Sequence, residues 1–219
     1  VSTLPTAPAA KRGVARVLPP NPAQAAIVVG GFTVLLYLVE LLDRIMSGKL
    51  DHGGIIPRQV SGLDGILFAP FLHDGWGHLL GNTLPVLLFG FLAMAGGLGQ
   101  WIVVTATIWV ISGLGVWLTA PTGSLTIGAS GIAFGWLAFL LVRGFFARSF
   151  LQIAIGLVLL FYWGSTLLGI LPGNPGVSWQ GHLFGALAGV FCAWLVSVAN
   201  RKTKPAAEPK PELPGTLGL

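Results

Sequence analysis

Six apolar runs decide what this chain can fold into. They cover approximately 23–46, 77–97, 101–118, 129–147, 150–171 and 181–200, each close to the ~20 residues an α-helix needs to cross the hydrocarbon layer. Inside lipid a backbone must satisfy its own N–H and C=O groups, so such runs fold as helices. Only 9% of residues are charged and 54% are hydrophobic, against roughly a quarter charged in a soluble domain. Mean hydropathy is +0.82. The expected fold is an all-α polytopic membrane protein, a bundle of six transmembrane helices. Very short turns join spans two and three, and spans four and five, so each pair is expected to be antiparallel neighbours.

The flanks differ from this interior. Residues 1–22 and 201–219 are basic and proline-rich and read as disordered tails, leaving 23–200 as one helical domain. The first span reads as an uncleaved anchor, because no short h-region precedes it. Of the twelve Lys and Arg, nine fall on one side if the amino terminus is cytoplasmic: Lys11, Arg12, Arg16, Arg143, Arg148, Arg201, Lys202, Lys204 and Lys210. Arg44, Lys49 and Arg58 fall on the other. The positive-inside rule then puts both termini in the cytoplasm, and the expected location is a bacterial inner (cell) membrane. Trp76, Trp117 and Trp179 come at outer helix ends, where an aromatic belt belongs. The same distribution accounts for the net charge of +5, so no nucleic-acid partner is expected. The single cysteine, Cys192, permits neither an intramolecular disulfide nor a Cys-based metal site.

Polar residues inside such spans cost free energy, so each is a candidate for function. His78 and Asn82, in HDGWGHLLGN, are spaced i, i+4 and share one helix face. Pro85 follows and frees the Gly81 carbonyl, which predicts a bend. Ser130 opens span four among Gly128, Ala129, Gly131 and Gly135. His182 opens span six beside Gly181, Gly185 and Gly189, a small-residue stripe that admits a close neighbour. Taken singly, each has a structural reading: an interfacial pair bonded to backbone, a packing serine, a helix-end histidine. Depth argues otherwise. Ser130 precedes Arg148 by eighteen residues and His182 precedes Arg201 by nineteen, which puts both roughly 27–29 Å above the inner anchor. His78 starts span two on that same side. Polar groups from three helices therefore share one level.

Serine beside a neutral imidazole is a minimal nucleophile–base pair. His182 would take the Ser130 proton and later protonate a leaving amine. His78, Asn82 and backbone N–H groups at the start of span four could face the developing oxyanion. No acid sits at this depth within a helix. Glu40 is expected to pair with Arg44 at i, i+4, so the reading is a dyad rather than a triad. Histidines with Asp74 could in principle hold zinc, but H-E-x-x-H is missing, and no metal or other cofactor is expected. The long connection Ser47–Trp76, with GLDGILFAPFLHDGW, is too interrupted to span and reads as a half-immersed element.

HDGWGHLLGN, GASG and GHLFGALAG, in that order on the second, fourth and sixth of six spans, resemble the rhomboid family of intramembrane serine proteases over about residues 23–200. The resemblance implies Ser130 as nucleophile and His182 as general base. His78, Asn82 and the Ser130 backbone N–H would form the oxyanion hole. It gives His73 a structural role at the start of span two and makes Ser47–Trp76 the membrane-embedded first loop. Gly173–Gln180 would be a cap over the site, and span five a lateral gate. The substrates and partners implied are transmembrane proteins cleaved within membrane lipid, in a water-filled cavity open to the outer face. Many members carry tyrosine four residues after the serine, stacked on the histidine; here that residue is Phe134. Two alternatives stay open: a non-catalytic rhomboid-like protein that binds transmembrane clients, and a small transporter with broken helices.

Overall fold

The computed structural model describes residues 16–202; the tail residues 1–15 and 203–219 lie outside the described residues. Six helices are long and apolar enough to cross a membrane. They are α1 (Pro22–Ile45), α3 (Gly75–Ala93), α4 (Leu98–Thr119), α5 (Ser130–Ala147), α6 (Phe150–Trp163) and α7 (Trp179–Lys202). A short helix, α2 (Gly65–Phe68), lies in the long first connection. Short 3-10 turns extend α3 through Met94–Gly96 and α6 through Gly164–Ile170. The expected six-helix bundle is therefore what forms, with ends within a few residues of the apolar runs.

Local chemistry starts and stops these helices. Asn21 caps α1 by accepting from the Gln24 N–H at 3.0 Å, and Pro22 fills the first helical position, where no N–H is needed. Arg148 adopts the left-handed conformation (φ 52°) and Ser149 caps α6, so two residues turn the chain from α5 into α6. Pro85 sits inside α3, which nonetheless runs on as one helix; the bend expected there does not interrupt it.

α5 is the central element: 67% of its span is buried, against 11% for the span formed by α6 and its 3-10 extension. Its partner is α7, and glycine decides how close they come. A Cβ on Gly185 would collide with the Gly131 carbonyl oxygen, and one on Gly189 with that of Gly135. Gly181 is different. Its carbonyl accepts from Ser112 Oγ of α4 at 2.8 Å, and its Cα faces Ser178, Val116 and Ser112. The expected three-glycine stripe thus divides, with two glycines packing on α5 and one mainly on α4.

The first connection is folded against the bundle. Trp109 Nε1 of α4 donates to the Ile66 carbonyl at 2.6 Å. Ile55 and Thr126 exchange backbone bonds of 2.9 and 3.1 Å, and the Gly128 N–H donates to the Ala69 carbonyl at 2.8 Å. These bonds hold the loop that delivers Ser130 to the start of α5. On α1, Arg44 Nε bonds Glu40 Oε1 at 2.7 Å, the expected i, i+4 pair, although Glu40 is fully buried.

Candidate active site

Helices α3, α5 and α7 all begin at the same face of the bundle, and their first turns enclose an open cavity of about 860 Å³. Ser130, His182, His78, Asn82 and Phe134 all line it. Ser130 Oγ lies 2.8 Å from His182 Nε2. The other ring nitrogen, Nδ1, lies 3.0 Å from the Gly169 carbonyl oxygen. The His182 ring is stacked on Phe134, with centroids 3.9 Å apart and planes 7° from parallel. His182 and Asn82 are buried, while Ser130 and His78 are half-buried against the cavity.

The backbone places these groups. Ser130 is the first residue of α5, and Ala129, at the N-cap position, has no side-chain bond to give. Helical geometry leaves the first N–H groups without i−4 partners. The Ser130 and Gly131 amides are thus held at a helix start, where a negative charge is stabilised by donors and dipole together. Gly128 comes just before, at φ 116°. A Cβ there would sit 2.8 Å from His78 Cε1 and 2.9 Å from its Nε2. Glycine therefore serves twice here: it adopts a backbone angle that side chains disfavour, and it leaves room for the imidazole.

His78 Nδ1 accepts from the Asp74 N–H at 3.3 Å. That assigns the proton of the neutral ring to Nε2, the nitrogen beside Gly128. Asn82 Nδ2 donates to the His78 carbonyl at 3.0 Å, so its helix takes one of its two amide hydrogens and the second is free for the cavity. His73 does not reach the cavity. It is buried and packs edge-on against His78 at 5.0 Å. Burial first, and the neighbouring His78 second, push its pKa down to about 4. Asp51 and Asp74 of the first connection line the cavity rim. Burial, with Asp43 and Glu40 nearby, pushes the Asp51 carboxyl up to about 6. Gly176 to Gln180 line the opposite edge, in the segment expected to cap the site.

Two contacts have no counterpart in the sequence pattern. The Ser112–Gly181 bond ties α4 to the first turn of α7. The Gly169 carbonyl meets His182 from within the fifth apolar run. The signals there are the Gly164-Ser165-Thr166 interruption of that run, with Thr166 at the cavity wall, and Pro172 just beyond the 3-10 turn.

Fold and cavity together define a class: a multi-pass integral membrane protein with a Ser–His pair held among helix starts at one face. A family model for the rhomboid domain matches residues 61–199. An uncharacterized protein of Mycobacterium tuberculosis is 51% identical over 190 residues, 81% of this chain and 79% of the relative. Rhomboid-like protein 11, chloroplastic, of Arabidopsis thaliana is 31% identical over 154 residues, 59% of this chain and 51% of that protein. A Bacillus subtilis protein whose name marks it as a candidate rhomboid protease is 27% identical over 126 residues, 57% of this chain and 62% of that protein. The chain belongs to the rhomboid family.

Proposed function

We propose that this chain is an intramembrane serine endopeptidase that hydrolyses peptide bonds in or near transmembrane segments of other membrane proteins. The observation that carries the reading is the 2.8 Å contact between Ser130 Oγ and His182 Nε2 at the wall of a cavity large enough for an extended peptide. Ser130 Oγ attacks the scissile carbonyl as His182 Nε2 takes its proton. The tetrahedral oxyanion is met by the Ser130 and Gly131 amides, His78 Nε2–H and the second Asn82 N–H. His182 then protonates the departing amine, and a water attacks the acyl-enzyme with His182 again as base. In this reading both termini are cytoplasmic, the cavity opens to the outer face, and the membrane is a bacterial inner (cell) membrane. The helical domain spans 23–200 between two tails. Gly173–Gln180 caps the cavity and the fifth span admits substrate from the side. No metal or cofactor takes part.

The test is cleavage of a model transmembrane substrate by the purified protein in detergent or liposomes. Ser130→Ala and His182→Ala are each expected to abolish cleavage while the protein stays folded, and a fluorophosphonate or coumarin probe is expected to label Ser130. Wild-type cleavage by Ser130→Ala would overturn the assignment. Client binding by a folded wild-type protein that neither cleaves nor takes the probe would favour the non-catalytic role.

A further inference from the structure

The site has a nucleophile and a base, yet among the described residues no carboxylate bonds the base. The ring nitrogens of His182 have two partners, Ser130 Oγ and the Gly169 carbonyl oxygen. We propose that the Gly169 carbonyl is the third member of the site, a positioning group supplied by the outer end of the fifth span that holds His182 as its Nδ1–H tautomer. The proposal rests on the protease reading for its kinetic consequence, but not for the tautomer itself.

The chemistry follows from what a carbonyl can do. It accepts and never donates, so the 3.0 Å contact requires the proton on Nδ1. The Nε2 lone pair is then directed at Ser130 Oγ, which is the arrangement a general base needs. In other serine hydrolases a buried acid has this role, selecting the tautomer and the ring orientation. Here a neutral acceptor does so in a setting where a buried carboxylate would be costly.

Three features of the local sequence make this carbonyl available. Residues Gly164–Ile170 form a seven-residue 3-10 turn, longer than the three or four residues such turns usually reach. Its last bond runs from the Leu171 N–H to the Leu168 carbonyl at 3.0 Å. The next bond in the pattern would come from residue 172 to Gly169. That residue is Pro172, which has no N–H, so the Gly169 carbonyl has no partner from the 3-10 pattern. Finally, residue 169 is a glycine. A Cβ there would lie 3.0 Å from His182 Nδ1 and 3.1 Å from Phe134 Cζ, so a side chain would push the segment away from the stacked rings. The fifth span is the least buried of the six. The base is therefore held by the span with the smallest buried share, and it is complete only while Gly164–Ile170 is docked.

The experiment weakens this carbonyl without changing a side chain. Replacing Ile170 by its α-hydroxy-acid analogue converts the 169–170 amide to an ester, whose carbonyl is a poorer acceptor. The same replacement at Leu168, which alters the Leu167 carbonyl instead, is the control. Two quantities are read on the full chain in detergent or bicelles: the His182 tautomer by 15N NMR, and kcat and KM on a transmembrane substrate. The Ile170 ester is expected to raise the Nε2–H population and to lower kcat about tenfold with KM unchanged, the scale of one weakened hydrogen bond. The Leu168 ester is expected to leave both as in the wild type. Gly169→Ala is expected to shift the tautomer in the same direction. A wild-type tautomer ratio in both the Ile170 ester and Gly169→Ala would overturn the proposal, as would an equal shift in the Leu168 control. The tautomer is read whether or not the chain cleaves anything. Failure of the protease reading, seen as undiminished cleavage by Ser130→Ala, is thus distinct from failure of this one.

Discussion

The His182 imidazole lies flat on the Phe134 ring, 3.9 Å between centroids and 7° from parallel, one helical turn beyond Ser130 on α5. This stack and the 2.8 Å contact to Ser130 Oγ restrain the same ring in two directions. Phe134 covers its face and Ser130 Oγ meets its Nε2. An aromatic face at position 134 therefore matters more than a hydroxyl there. Aromatic pairs contribute about 0.5–1.5 kcal/mol beyond burial, which corresponds to roughly 2–13-fold in rate. Phe134→Ala is expected to lower kcat by at least this factor, and Phe134→Tyr by less, measured side by side on one substrate. Equal activities would remove the stack from the account of the site.

Much of this arrangement is legible in the sequence, because a membrane helix has one rise per residue. Counting from Arg148 and Arg201 back to Ser130 and His182 places both at one level, and GxxxG spacing supplies the reason for α5 and α7 to meet. The carbonyl of Gly169 is not legible. A backbone acceptor leaves no polar letter in the sequence, and although Ser165 and Thr166 interrupt the fifth run, they do not say that a 3-10 turn turns the Gly169 carbonyl toward His182. The division of the glycine stripe is hidden for a related reason. Spacing places Gly181, Gly185 and Gly189 on one face but does not say that Ser112 claims the first of them. The bond from Asn82 to the His78 carbonyl follows from helix geometry but competes with nothing visible in the pattern.

The close approach of α5 and α7 gives a sharp contrast between glycines. Gly185→Ala is expected to force the Gly131 backbone away, lengthen the Ser130–His182 contact, and cost about 1–3 kcal/mol as an overpacked interior does. At Gly30 and Gly31 of α1, an added Cβ would meet nothing within 4 Å. Alanine at either is expected to keep full activity and to stabilise slightly, since alanine favours a helix by roughly 1 kcal/mol over glycine. Thermal unfolding in detergent and cleavage assays on the three variants check both halves.

Gly128 tests the room reserved for His78. Its φ of 116° and the 2.8 Å approach of His78 Cε1 to an added Cβ both oppose alanine. Gly128→Ala is expected to displace His78 and the Ser130 loop together, with loss of cleavage. His78→Phe keeps a ring but removes the Nε2–H donor. A donor used mainly in the transition state is worth about 10²–10³ in rate. His78→Phe is therefore expected to lower kcat on the order of 10²-fold with KM little changed. A rise in KM with kcat intact would instead make His78 a substrate-binding group.

The rim also carries a pH signature outside the membrane-spanning segments. His73 is buried with a pKa lowered from 6.5 to about 4, so the fold favours its neutral form. Its contribution to stability is fully present above pH 6.5 and is lost as the pH falls through about 4. Asp51 runs the other way. Its pKa is raised from 3.8 to about 6, so its contribution is present below 3.8 and is lost as the pH rises through about 6. His73 is almost fully buried and Asp51 is half-exposed, so solvent screens the aspartate more and the histidine dominates between pH 6.5 and 4. The net expectation is a loss of stability on acidification across that window, on the order of 3 kcal/mol at most. His73→Phe is expected to flatten this slope, since the ring's packing against His78 survives while its titration does not. Asp51→Asn is expected to steepen it. Unfolding midpoints measured from about pH 7 to about pH 4 decide the matter, and an acid slope unchanged in His73→Phe would assign it to other groups.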